Sequence, residues 1–164
     1  REEYKGKEAL KSVGIMGFSA GGHLAASTAV GALEANGDKS PRATARPDFT
    51  ILFYPVITGN PAFAHAGSFN NLLGNDRSQE LTDRWSAERL VNERTPQTFL
   101  VLSDNDGVKP YNSTSFYNAL KQHNIAATLH ILPSGGHGWG FRDFEYKVMW
   151  QEALSDWLKR LSDK

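Results

Sequence analysis

The sequence contains no cysteine. That excludes a disulfide scaffold, a thiolate zinc site and a cysteine nucleophile, and it leaves the compartment open. Net charge is absent too, since 18 Lys and Arg balance 18 Asp and Glu. Bulk charge therefore gives no argument for nucleic acid or an anionic membrane as partner. No apolar run approaches the ~18 residues of a membrane span. There is no internal repeat, no low-complexity tract and no recognisable leader. The chain opens without methionine, on REEYKGKEALKSVG. Tyr4, Leu10 and the charges between them read as the tail of a surface helix, in a chain whose numbering begins inside a longer protein. The 164 residues are the length of one domain, 1–164, with no need for a second.

What is present is an alternation of short apolar runs and helical patterns. Residues 12–17 read as a strand, and the Ala- and Gly-rich 20–33 as a helix able to pack closely on a sheet. A polar loop follows over 36–47. The nearly continuous apolar run 48–54 reads as a strand covered on both faces. Region 58–96 is the least regular, with short helical pieces over 69–73 and 79–85. Then come a buried strand over 97–103 and a helix over 111–123 with Ser115, Phe116, Ala119 and Leu120 along one stripe. A strand over 127–132, a glycine-rich loop over 133–139 and a helix over 141–161 complete the chain. The buried face of that last helix is marked by Trp150, Leu154, Trp157, Leu158 and Leu161. Alternating strands and helices predict a mostly parallel sheet flanked by helices. In such sheets sites form beyond the carboxyl ends of the strands.

Gly17-Phe18-Ser19-Ala20-Gly21 stands at the first strand-to-helix junction. It matches Gly-x-Ser-x-Gly, a tight turn that lifts a nucleophilic serine above the sheet edge. Side chains at Gly17 and Gly21 are expected to collide with neighbouring backbone. The helix that follows offers its N-terminal N–H groups and dipole to an oxyanion, with the Ala20 N–H as one donor. The competing reading is a glycine turn with Ser19 as a helix N-cap.

A serine nucleophile needs a base, and the base needs a carboxylate. Of five histidines, His23 falls one turn into the elbow helix, where packing is its expected role. His65, His123 and His130 fall in a loop, a helix end and a strand. His137 differs: it follows a strand, within Ser134-Gly135-Gly136-His137-Gly138-Trp139-Gly140, where glycines leave an imidazole uncrowded. Asp104 and Asp106 end another strand, in LVLSDNDGVKP. A calcium loop is rejected there, because Val108 occupies a ligand position and no glutamate closes it. Serine, aspartate and histidine thus appear in the order of an α/β-hydrolase, each just after a strand.

With these residues the chain resembles the α/β-hydrolase superfamily, and more narrowly the bacterial acetyl xylan esterase and feruloyl-esterase-like carbohydrate esterases. Elbow residues Gly17 to Ala25, acid loop Ser103 to Pro110 and histidine loop Leu132 to Trp139 carry the likeness. It implies the C-terminal part of an α/β-hydrolase fold and aligns Asp106, rather than Asp104, with the family's acid. Lys109 departs from the pattern, standing where a small apolar residue is usual. The resemblance implies a serine esterase with catalytic Ser19, Asp106 and His137 and oxyanion donor Ala20. Its substrate would be an acylated, most simply acetylated, plant polysaccharide or oligosaccharide, handled without metal or organic cofactor. Tyr54 and Trp139, with Phe141, Pro55 and Tyr111, would line the acyl or sugar side. Nothing here matches the family's first strands or its glycine-rich loop carrying the second oxyanion donor. A missing N-terminal segment or a second polypeptide is therefore expected to complete the fold, leaving the elbow strand as a sheet edge. A polysaccharide substrate would place the enzyme in the periplasm or outside the cell. Two alternatives remain: a prolyl-oligopeptidase-like serine peptidase, and a non-catalytic binding module on the same fold.

Overall fold

A computed structural model describes residues 12–162, except for the side chains of Arg42 and Ser162. The surface-helix reading of 1–11 lies outside these residues. Four strands, β1 (Gly14–Phe18), β2 (Phe49–Phe53), β3 (Gln97–Ser103) and β4 (Ala127–Leu132), form one sheet. Every pairing is parallel and the spatial order is the chain order, β1-β2-β3-β4. Phe18, Phe53, Val101 and His130 share one level of the ladder. β1 and β2 end at this level and β3 and β4 two residues beyond it, so the segments that leave them share one rim. Among the described residues β1 is an edge strand, with Val13 40% and Met16 42% exposed.

The apolar runs of β2 and β3 serve both faces by simple alternation. Leu52 and Leu100 point to one layer, with Ala25, Ala26, Phe116 and Leu120. Ile51, Phe53, Phe99 and Val101 point to the other, with Trp150 and Leu154. Helices α1 (Ser19–Val30) and α6 (Tyr111–Gln122) cover the first face, and α7 (Lys147–Ser162) covers the second. Alanines at the α1 contact, buried to about 1% or less at Ala25, Ala26 and Ala29, let that helix lie close on the sheet. On α6 the buried face is Asn112, Ser113, Phe116 and Leu120. Ser115 and Ala119, expected on that stripe, are half-buried.

Several boundaries differ from the sequence reading. Short helices α2 (Ala32–Ala35) and α3 (Pro41–Thr44) extend or interrupt what reads as helix end and loop. Helix α4 (Ala66–Leu73) begins three residues early because His65 caps it, Nδ1 accepting from the Ser68 N–H. Helix α5 (Gln79–Arg84) is capped by Ser78, whose hydroxyl accepts from the Leu81 N–H. A 3₁₀ turn, Ala87–Arg89, follows. Helix α7 starts at Lys147, not at 141. Phe141 and Phe144 mimic a helical stripe, but they sit in turns, where their rings pack on Trp150 and Trp139.

Asn112 ties the excursion after β2 to α6. Its Oδ1 accepts from the Ile57 and Thr58 N–H groups, and its Nδ2 donates to the Phe63 and Lys109 carbonyls. The start of the 58–96 segment is thereby held beside the loop that leaves β3. No described helix is long and apolar enough to cross a membrane.

Candidate active site

The backbone turns from β1 into α1 at Ser19, which has φ +53°. This left-handed conformation is costly for a residue with a side chain, and it persists only where neighbours over-determine it. Here the constraint is close packing. A Cβ on Gly17 would lie 2.2 Å from the Gly21 carbonyl oxygen, and one on Gly22 would lie 2.7 Å from Pro55 Cβ. Gly21, expected to be as crowded as Gly17, has nothing among the described residues within 4 Å of a Cβ. The close approach on that side is made at Gly22. The Ser19 carbonyl accepts from the Val56 N–H at 3.0 Å, which pins the elbow to the segment after β2.

Helix α1 has no capping side chain and no acidic residue in its first turn. The first N–H groups of a helix lack intrahelical partners. The Ala20 N–H, at the second helical position, is therefore an uncapped donor beside Ser19, in the unneutralised positive field of the helix end.

From the rim of β3, Asp106 reaches towards the same point. Its Oδ1 accepts from the Val108 N–H and from His137 Nδ1, each at 2.7 Å. Its side chain is fully buried, and Oδ2 has no partner among the described residues. Burial pushes this carboxyl above its ordinary value, against the opposing pull of the Val108 N–H and of His137. Asp104 is exposed, and its N–H continues the sheet by donating to the Leu132 carbonyl. From beyond β4, the imidazole of His137 lies between the two other groups, with Nε2 2.8 Å from Ser19 Oγ. An ionised Asp106 only accepts, so Nδ1 carries the ring proton and Nε2 is left to accept the Ser19 hydroxyl. The three side chains assigned from sequence to one relay are thus in hydrogen-bond contact across 118 residues of chain.

The two residues expected against the substrate, Tyr54 and Trp139, are both buried. Trp139 is 4% exposed and packs in the core under α7, its Nε1 donating to Ser103 Oγ. Tyr54 is 3% exposed, with its ring edge-on to His137 and its hydroxyl accepting from the Gly140 N–H. The Tyr54 ring lies against the imidazole, and the Trp139 ring packs in turn on Tyr54. Phe141 and Tyr111 remain exposed. His23 is buried, Nε2 donating to the Trp85 carbonyl at 2.7 Å, and burial pushes its pKa down. His130 packs its ring on Phe99, and His123 ends α6. Lys109, the departure in the acid loop, donates to the Ala62 carbonyl and lies over the Phe63 ring. Beside Ala20 a cleft of about 350 Å³ runs between α1 and α4, walled by His23, Leu24, Val56, Phe69 and Trp85. Among the described residues no three His, Asp or Glu side chains are grouped to hold a metal ion.

Parallel order, an elbow serine and loops converging on one rim define an α/β-hydrolase fold. Residues 57–164 match the model of the prolyl oligopeptidase family, and the chain belongs to that family. It is 36% identical over 155 residues to an acetylxylan esterase of Xylanibacter ruminicola, covering 91% of this chain and 30% of that protein. It is 36% identical over 143 residues to endo-1,4-beta-xylanase B of Butyrivibrio fibrisolvens, covering 85% and 22%. Among solved structures it superposes on an acetyl ester-xyloside bifunctional hydrolase from Caldicellulosiruptor lactoaceticus with a TM-score of 0.77 at 36% identity. That match covers 91% of this chain and 56% of the other. The chain thus spans less than a third of the curated relatives and little more than half of the solved one.

Proposed function

We propose that this chain, as one domain over 1–164, carries the triad of a serine esterase that removes acyl groups, acetyl first among them, from plant polysaccharide. The observation that carries the reading is the continuous contact Ser19 Oγ to His137 to Asp106, at 2.8 and 2.7 Å. The names of the relatives, acetylxylan esterase and acetyl ester-xyloside hydrolase, support the substrate class.

In the reaction, His137 Nε2 takes the Ser19 proton as Oγ bonds to the acyl carbonyl carbon. The carbonyl oxygen becomes an oxyanion beside the Ala20 N–H, and Asp106 balances the imidazolium. Collapse breaks the bond to the sugar oxygen, which takes the proton from Nε2. Water, deprotonated by the same nitrogen, then attacks the acyl-serine carbonyl; the acyl–Oγ bond breaks, Ser19 Oγ takes the proton back from Nε2, and the acid is released. A second oxyanion donor comes from a segment outside these residues.

The test uses the full-length protein. A fluorophosphonate probe is expected to label Ser19. Ser19→Ala is expected to abolish labelling and lower kcat on p-nitrophenyl acetate by roughly 10⁴-fold or more. Retained turnover in that variant refutes the nucleophile, and no labelling of the parent protein favours a non-catalytic module. Acetate release from acetylated xylan, without cleavage of proline-containing peptides, is the expected specificity. The converse would make it a peptidase.

A further inference from the structure

The loop that carries His137 does not fix its own shape. Gly135, Gly136, Gly138 and Gly140 have φ of +136°, +61°, +80° and +52°. Glycines sample such conformations freely and lose more entropy than any other residue when held in one. Yet the imidazole must keep its place at the moment it gives up the Ser19 hydrogen bond, when only Asp106 still holds it.

Three side chains outside the loop peg it on either side of the histidine. The Gly136 N–H donates to Asn105 Oδ1 at 2.9 Å. Trp139 Nε1 donates to Ser103 Oγ at 3.0 Å, and the Gly140 N–H donates to the Tyr54 hydroxyl at 2.9 Å. Ser103 and Asn105 flank Asp104 at the end of β3, so the pegs and the acid share one stretch of chain. Tyr54 stands at the end of β2, where its own N–H donates to the Val101 carbonyl at 2.7 Å. Its φ of +35° is a strained value for tyrosine, of the kind that persists where the surroundings impose it. That conformation presents the ring to the imidazole, centroids 4.8 Å apart, and aims the hydroxyl at Gly140.

We propose that Asn105 and Tyr54 are positioning residues, clamping the His137 loop from two strand ends so that the imidazole stays in register with Asp106 and Ser19. The inference rests on the serine-hydrolase reading for its kinetic consequence, but not for its geometric one. Tyr54 is buried beneath the ring, and Asn105 reaches Gly136 rather than the reacting atoms, so both act through His137.

The experiment compares full-length parent, Asn105→Ala, Tyr54→Phe and Asn105→Asp. One readout is the far-downfield proton resonance of His137 Nδ1–H, identified by its loss in His137→Gln. The other is the division of any defect between kcat and KM on p-nitrophenyl acetate. Asn105→Ala and Tyr54→Phe are expected to broaden or abolish the resonance. Each should lower kcat about 10-fold or more, with KM nearly unchanged, because small misplacements of a catalytic group are expensive. Asn105→Asp, which keeps an oxygen acceptor, is expected to restore the resonance and most of kcat. Unaltered resonance in both deletion variants overturns the clamp, as does a missing resonance in the parent. A loss of activity that leaves the resonance intact overturns it too. If the parent neither turns over nor takes the fluorophosphonate, the esterase reading fails, while the resonance still decides the clamp.

Discussion

Gly17 and Gly22 are held to glycine by contact, one against the Gly21 carbonyl oxygen and the other against Pro55. Gly21 occupies the second glycine position of the Gly-x-Ser-x-Gly elbow and has nothing among the described residues within 4 Å of a Cβ. Gly17→Ala is therefore expected to cost about 1–3 kcal/mol through overpacking against backbone and to lower kcat by moving Ser19. Gly21→Ala is expected to be neutral or to stabilise by up to about 1 kcal/mol, the helical advantage of alanine. Urea unfolding midpoints of the two variants check this, and equal losses would refute it. At this scale the sequence was informative where a residue type is tied to a chemical task. Ser19 and His137 each stood in a chemically suitable turn, whereas Asp106 was told from Asp104 only by the family resemblance. Tyr54 and Trp139 are both buried, and an aromatic side chain near a site reads the same in sequence whether it faces ligand or core. Asn105 carried no signal, since an asparagine between two aspartates is ordinary turn chemistry.

Strands β3 and β4 were readable to the residue, being apolar runs bounded by turn residues. Helix α4 was not, because a histidine cap has no recognised sequence signature, and α7 was read six residues too long because turn aromatics fell at helical spacing. One contact between elements has a measurable consequence. His23 on α1 is buried as a donor to the Trp85 carbonyl just beyond α5, and burial lowers its pKa from 6.5. The folded state therefore favours neutral His23. Its contribution is fully present above pH 6.5 and is lost as pH falls through the lower folded value. His130 shifts in the same direction by burial, so a variant is needed to isolate His23. Relative to His23→Gln, the parent is expected to lose stability as pH drops from about 7 to about 5. Parallel pH profiles for the two proteins would contradict the assignment.

Across the whole molecule the sheet has two unlike sides. β4 has α6 on one face, and on the other its Leu132 clusters with Trp150 and Leu154 of α7. Met16 of β1 and Val13 just before it are exposed, as are Phe141, Val148 and Met149. A parallel strand that has no partner on one side among the described residues, with exposed apolar side chains, is a template for association. The 164-residue chain by itself is expected to associate with rising concentration in sedimentation velocity, and Met16→Lys to reduce that association. A monodisperse monomer at about 0.1 mM would refute this, since edge pairing should be populated in that range.

The strands lie in space in the order in which they are made, and the reacting groups follow the same sequence, Ser19, then Asp106, then His137. A ribosome therefore delivers the hydroxyl first and its base last, with most of the sheet already emerged before the loop after β4 appears. On the proposed esterase reading, this triad therefore cannot act until the loop after β4 has been synthesised and folded against the rim.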